Sequence, residues 1–262
     1  MSDVRPKITV RGLNKSFGAN NILKDINLDI AIGESMALIG GSGAGKSVLL
    51  KNIIGIICPD AGSIQIDGED IVGLGHGHRD RINRKFGVLF QGAALFDSLT
   101  LWENVAFGLI AGKGLRRAEA REIALNKLRQ VGLSVHVADR HPAEISAGAQ
   151  KRVGLARAIA TEPEILFFDE PTTGIDPLMG DVIDRLIIQC VKELGATALT
   201  ITHDLHSARR IGDRIAMIQD GRIIWVDDAV KIDNSGNSTV DNFINGRSPG
   251  GLSSLTPKKE YL

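Results

Sequence analysis

The chain has 262 residues, within reach of one large α/β domain or two small ones, and 43% of them are hydrophobic, enough to bury a substantial core. Its 31 Lys plus Arg balance its 31 Asp plus Glu, so no net field draws it to nucleic acid or to an anionic membrane surface. The longest apolar runs, IIGIIC (53–58) and ILFF (165–168), fall far short of the ~20 residues a membrane span needs, and MSDVRPKITV lacks a signal-like apolar stretch, so a cytosolic location is expected.

Short β-like runs come first: KITVRGL (7–13), ILKDINLDI (22–30), ESMALIGG (34–41), SIQIDG (63–68) and FGVLFQ (86–91). One helical segment interrupts them, KSVLLKNIIGII (46–57). From about 100 to 160 the period is helical, and RRAEAREIALNKLRQVG (116–132) sets Ala120, Ala124, Leu128 and Val131 on one stripe with Gly132 as a stop. Strands and helices then alternate: EILFFDE (164–170), a helix near 177–194, TALTIT (197–202), a helix near 204–211, and RIAMIQDGRIIWV (214–226) as a hairpin turned at Asp220-Gly221. Such alternation predicts a mostly parallel sheet with helices packed on it. The polar runs NSGNST (234–239) and GRSPGGLSSLTPKKEYL (246–262) place the end of the compact domain near 230. Cys58 and Cys190 have no CxxC or Cys/His spacing and read as reduced core thiols.

GGSGAGKS (40–47) matches G-x-x-x-x-G-K-[ST] directly after a predicted strand and before a helix, the context in which backbone amides and a helix N-terminus cradle phosphate. Gly40, Gly43 and Gly45 let the backbone bend, Lys46 supplies charge for the β- and γ-phosphates, and Ser47 offers a hydroxyl to Mg²⁺. ILFFDE (165–170) reads as a buried central strand ending in two acids at the ligand side of the sheet. Asp169 is expected to hold Mg²⁺ through its water shell, and Glu170 to act as general base toward an attacking water. Gln91, at a strand end, suits Mg²⁺ or that water, and local sequence equally suits a surface glutamine. His203, after TALTIT, suits the γ-phosphate or Glu170 and the water. His76 and His78 lie in an apparent Gly-rich loop without a third metal ligand, and His136, His141 and His206 read as structural or solvated. ISAGAQKRV (145–153) reads as a helix start capped by Ser146, with Gly148 beside it.

GGSGAGKS, Gln91, ISAGAQKRV, FFDE, TGID and TH, in this order over about residues 7–230, resemble the ATP-binding subunit of ABC transporters. The resemblance implies an α/β P-loop NTPase (RecA-like) core, an antiparallel β subdomain and a helical signature subdomain at about 95–160. The ATP-binding domain would be 1–230, and 231–262 a C-terminal extension, partly disordered or docking on a partner subunit. It implies ATP hydrolysis with Mg²⁺, and nucleotide contacts from Gly40, Gly41, Ser42, Gly43, Ala44, Gly45, Lys46, Ser47 and Val48. Phe17 matches the ring that stacks on adenine, where stacking is worth roughly 1–3 kcal/mol; most members have Tyr there. Asp176 matches an acid that communicates across a dimer. In that dimer two copies pack head to tail, each P-loop facing the partner's signature, and drive a membrane permease. The signature departs from LSGGQ by Ile145, Ala147 and Ala149, but Ser146, Gly148 and the helix remain, so a working signature is expected.

FQGAALFDSLTLWENVAFGL (90–109) is similar more narrowly to Mla/Mce-type phospholipid transport ATPases. That similarity implies a permease, an MCE-domain substrate-binding protein and a small STAS-domain protein as partners, and a place on the cytoplasmic face of a bacterial inner membrane. Leu95, Phe96, Leu99, Leu101, Trp102, Val105 and Phe107 make this segment unusually apolar for one outside the sheet. Three alternatives stay open: the same ATPase serving another importer, such as one for polar amino acids; a soluble ABC ATPase of DNA repair or translation; and a scaffold that does not hydrolyse. In the extension, Phe243, Ile244, Leu252, Leu255, Tyr261 and Leu262 are candidates for docking on a neighbour.

Overall fold

The computed structural model describes residues 6–246. A hairpin of β1 (Pro6–Phe17) and β2 (Asn20–Ala31) leads into β3 (Ser35–Ile39), the phosphate-loop segment and α1 (Lys46–Ile53). There follow β4 (Ala61–Ile66), β5 (Glu69–Asp70), α2 (His76–Asn83) and β6 (Phe86–Leu89). A helical block comprises α3 (Leu101–Phe107), which runs into a π turn at Gly108–Gly112, α4 (Arg117–Gln130) and α5 (Ala147–Ala160). The chain returns through β7 (Ile165–Asp169), α6 (Pro177–Leu194), β8 (Thr197–Ile201), α7 (Leu205–Ile211), β9 (Arg214–Gln219) and β10 (Arg222–Asp228), then a 3₁₀ turn (Ala229–Asn234) and α8 (Ser238–Ile244).

These strands form two sheets. One is antiparallel, in the order β2-β1-β4-β5; the other runs β10-β9-β3-β8-β7-β6 and is parallel except for the β9–β10 hairpin. Asp220 and Gly221 turn that hairpin with φ of 49° and 78°, the positive values a two-residue loop of this hand requires. The central strands are buried on both faces, and the two-residue period of a strand divides them between two cores. Ile165 and Phe167 of β7 face β1, β2, β4 and α1, while Leu166 and Phe168 face α3, α4, α5 and α6. The α4 stripe of Ala120, Ala124 and Leu128 is fully buried in the second of these cores, as its spacing predicts.

A third core lies where Ala37, Ile39, Ile215 and Met217 meet Ala208, Ile232 and Val240. Packing therefore continues past the boundary expected near 230, through α8. The polar run 234–239 is a helix start: the Asn237 side chain caps α8, accepting from Thr239 N at 2.9 Å, and Trp225 Nε1 donates to Ser235 O at 3.1 Å. Ser, Asn and Gly serve loops and helix caps alike, which is why composition alone placed the end of the compact domain too early. Of the proposed docking residues, Phe243 and Ile244 pack against this core; Leu252, Leu255, Tyr261 and Leu262 lie outside the described residues.

Two local expectations are corrected. The segment holding His76 and His78 opens α2 and is not a loop; Arg79 anchors that helix by donating to Ile53 O (2.9 Å) and Ile71 O (3.2 Å). Of the two free cysteines only Cys190 is in the core, where burial pushes its thiol up to about 11; Cys58 is exposed.

The helical block begins with a reciprocal cap. Glu103 Oε2 accepts from Thr100 N and Thr100 Oγ1, both at 2.8 Å, and Arg117 pairs with the same carboxylate while stacking 4.7 Å over the Trp102 ring. The Thr100 amide above all, and Arg117 after it, hold the Glu103 carboxyl down to about 2. A carboxyl so depressed contributes stability that is present above its unfolded value and lost as pH falls toward 2. Glu103→Gln should therefore cost about 1 kcal/mol at neutral pH, as loss of a partly exposed charged cap does. Urea unfolding of both proteins from pH 7 down to pH 3 should show that difference shrinking.

Candidate functional site

Parallel pairing brings four strand ends to one edge of the larger sheet. Leu38 of β3 and Asp169 of β7 both register with Ile201 of β8, and Leu89 of β6 registers with Phe168. Gly40, Glu170, His203 and Gln91 thus emerge side by side at the carboxyl ends, where an α/β sheet binds ligands. The cleft they border, about 670 Å³, is lined by Ile22, Ser42, Gly43, Ala44, Gly45, Lys46, Ser47, Val48, Gln91, Glu170 and His203. A volume of that size is in the range of small-molecule sites.

The loop from β3 to α1 is built on glycine because its backbone leaves no alternative. Gly40, Gly43 and Gly45 have φ of 155°, 75° and 107°, and a Cβ on Gly40 would sit 2.3 Å from the Ile218 carbonyl oxygen of β9. Lys46, nearly buried at the start of α1, reaches back over the loop to donate to Gly40 O (2.8 Å) and Gly41 O (3.0 Å). Its nearest carboxylate oxygen, Glu170 Oε1, is 3.9 Å away, and burial pulls its ammonium below the ordinary lysine value. Ser47 Oγ donates to Asp169 Oδ1 at 3.1 Å, and burial raises Asp169 above the usual carboxylate range. The cradle thus holds a cation and an anion that water no longer solvates fully, an arrangement typical of ligand sites.

Glu170 follows β7 in a left-handed conformation, φ 51°, which costs about 1–3 kcal/mol and persists only where neighbours hold it. They do: Glu170 N donates to Ile201 O (2.9 Å), Thr173 Oγ1 donates to Oε2 (2.7 Å), and His203 Nδ1 lies 2.5 Å from Oε2. His203 therefore sits on the Glu170 carboxylate, one of the two positions open to it from sequence. Thr173 went unnoticed because a threonine within PTTGID has no signal of its own. Gln91 is exposed at the cleft, as a glutamine at the end of β6 can be.

A second cluster forms away from that cleft. Ser146 caps α5 and accepts from Ala149 N at 3.3 Å; Asp176 caps α6 and accepts from Met179 N at 2.9 Å. The two caps are linked by Met179, whose side chain lies against Gly148 so closely that a Cβ there would be 2.7 Å from its Cγ. Arg152 Nη2 reaches the Met179 sulfur at 3.2 Å. Ala147 is the first residue of α5 and does not have positive φ, so replacing glycine there strains nothing. Neither Ser146, Gly148 nor Asp176 lines the Lys46 cleft. Phe17, at the end of β1, is 48% exposed with Lys15 Nζ 5.4 Å above its ring, and it too stands outside that lining.

One residue with no assigned part in the sequence reading proves central. Lys151 of α5 is 5% exposed; its Nζ donates to Gln91 O and, at 3.3 Å, to Glu170 O, and burial lowers its ammonium. The sequence did carry a signal: Lys151 falls on the helical face of Leu155 and Ala158, where a lysine needs a buried partner.

Comparison with known proteins agrees with this geometry. The family model described as ABC transporter matches residues 23–173. Over 253 residues the chain is 40% identical to the probable ribonucleotide transport ATP-binding protein mkl of Mycobacterium leprae, covering 97% of this chain and 73% of that protein. Over 223 residues it is 40% identical to the methionine import ATP-binding protein MetN 1 of Acinetobacter baylyi, covering 84% of this chain and 62% of that one. Among solved structures it resembles the ATP-binding cassette MJ0796, a dimer in a post-hydrolysis state bound to ADP and Pi, with TM-score 0.79, 33% identity and coverage of 85% and 98%. It likewise resembles cbiO1 from Clostridium perfringens, part of the ABC transporter complex cbiONQ, with TM-score 0.79, 30% identity and coverage of 91% and 95%. With the phosphate cradle, the paired acids and the helical block in one fold, the chain belongs to the ABC transporter family and is an ATP-binding, ATP-hydrolysing subunit of such a transporter.

Proposed function

We propose that this subunit hydrolyses ATP between two copies of the chain and that Glu170 is the base. The observation that carries the assignment is the Glu170 carboxylate, held by Thr173 and His203 at the mouth of the cradle that Lys46 closes. Phosphate oxygens arriving at the loop would accept from its backbone amides and from Lys46, giving that ammonium a closer counter-charge than Glu170 at 3.9 Å. Glu170 would then accept a hydrogen bond from a water aligned with the γ-phosphorus, while His203 and Thr173 keep its carboxylate from turning away. Gln91 completes the water's surroundings, and Phe17 offers its exposed ring to the adenine of the nucleotide.

Ser47 and Asp169 suit Mg²⁺, a hard cation that takes oxygen ligands, with Gln91 within the same cleft. Among the described residues no group of three His, Cys, Asp or Glu converges, so the remaining ligands would come from the nucleotide and water. When bound, Mg²⁺ neutralises charge on the β- and γ-phosphates. Ser146, Gly148 and Asp176, outside the lining of this chain's own cleft, would contact the partner's nucleotide across a head-to-tail dimer.

Phospholipid transport of the Mla/Mce type is the substrate class we infer, and the segment 90–109 supports it. Of its apolar residues Leu101, Trp102 and Val105 are core and Leu95 and Leu99 half-buried, whereas Phe96 and Phe107 are 43% and 44% exposed, their tilted rings 4.7 Å apart. An exposed aromatic pair at the foot of the helical block suits a permease contact. No helix of the described residues is long and apolar enough to cross a membrane. On this reading the subunit works at the cytoplasmic face of an inner membrane, with an MCE-domain protein and a STAS-domain protein in the assembly. Import of another solute, in line with the ribonucleotide and methionine named for its relatives, is the competing reading.

Glu170→Gln should bind ATP with affinity near wild type, trap a dimer, and turn over about 10²–10⁴ times more slowly, whereas Lys46→Ala should lose ATP binding. Equilibrium nucleotide binding together with phosphate release checks both; unimpaired turnover in Glu170→Gln would remove the base. Purification from membranes through the full-length chain should bring down an MCE-domain protein and phospholipid. A solute-binding importer permease in their place would overturn the lipid reading.

A further inference from the structure

Two side chains of α5 grip the segment that follows β6. Lys151 Nζ donates to Gln91 O, and six residues on Arg157 forks onto Ala93 O and Ala94 O, both at 2.6 Å. Ala93 and Ala94 have φ of 60° and 46°, conformations that alanine rarely adopts and that need such a clamp. Lys151 also donates to Glu170 O, the carbonyl of the other left-handed residue at the site. Its ammonium is thus spent on two carbonyl oxygens, with the charges of Asp169 and Glu170 acting on it at longer range. A buried cation held this way is costly to misplace, because any displacement leaves it unsolvated and unpaired.

The N-cap of its helix, Ser146, is about 7.5 Å away along the axis at ~1.5 Å per residue. We propose that Lys151 is a positioning residue for ATP hydrolysis. It holds Gln91 and Glu170 in one frame with the signature helix, so that engagement of Ser146 by the partner's nucleotide sets the geometry of this chain's own base. The inference rests on the assignment of Glu170 as base. Two ATP sites of the dimer are then coupled through a rigid helix and one ammonium within each chain.

The test uses the assembly purified through the full-length chain, with Lys151→Met, which removes every donor at similar length, and Lys151→Gln, which keeps an amide donor. ATP affinity should stay within about threefold of wild type, while kcat falls about tenfold to a hundredfold in Lys151→Met, the scale on which small misplacements act. Lys151→Gln should recover part of that loss. Hydrogen exchange should quicken in both variants at 91–94 and at 170–173 together. An unchanged kcat per folded molecule in Lys151→Met overturns the proposal, as does a kcat loss matched by an equal loss of affinity. Should only Lys151→Gln fold, wild-type kcat and exchange in that variant overturn it. Glu170→Gln in parallel separates the two readings: if it is inactive while Lys151→Met is normal, only the Lys151 role fails. If Glu170→Gln turns over normally, the base assignment fails and this proposal with it.

Discussion

Everything at the site depends on the parallel register of β3, β8 and β7. Because Leu38 and Asp169 share Ile201 as a neighbour, the phosphate loop and the acid pair leave the sheet at the same height. A shift of one residue in β7 would exchange the faces of Ile165 and Phe167 with those of Leu166 and Phe168, and both cores would lose their packing. The proposed catalytic arrangement is thus protected by apolar burial on both sides of the strand, which comes from residues with no proposed part in the chemistry.

The fold then uses this rigidity to keep groups in states they would not choose alone. Lys46 and Asp169 are desolvated with opposite consequences for their protons, and Glu170, Ala93 and Ala94 occupy left-handed backbone conformations. The costs at Lys46, Asp169 and Glu170 fall where nucleotide, metal or water is proposed to bind, those at Ala93 and Ala94 lie just after Gln91, and each is sustained by neighbouring groups: the Gly40 and Gly41 carbonyls, Ser47, Thr173 and Arg157. Stability given up at such a site is a common condition of activity.

The signature helix touches two regions proposed to be functional that do not share one cleft. Its first turn, after the Ser146 cap, packs Gly148 against Met179, while Lys151 on its buried face grips the Gln91 and Glu170 carbonyls. Ala147 and Ala149, where a more usual signature has Gly and Gln, lie in the first helical turn at ordinary φ. The departure from the usual pattern therefore falls on positions the helix accommodates without strain.

The sequence by itself determined the order of strands and helices, the phosphate loop and the paired acids. These are local statements: a period of two or 3.6, a glycine-lysine spacing, two carboxylates at the end of an apolar run. It also pointed to Gln91 and His203, but left each between two positions, since a strand-end side chain does not say which neighbour it meets. Only the tertiary structure decided that His203 lies on Glu170, that Thr173 shares it, and that Lys151 joins Gln91 to Glu170 across gaps of 60 and 19 residues. It likewise decided that α8 belongs to the packed body and that Cys58 does not. Burial and hydrogen bonding between distant segments are properties of the assembled sheet and its layers, and no local pattern of residues encodes them.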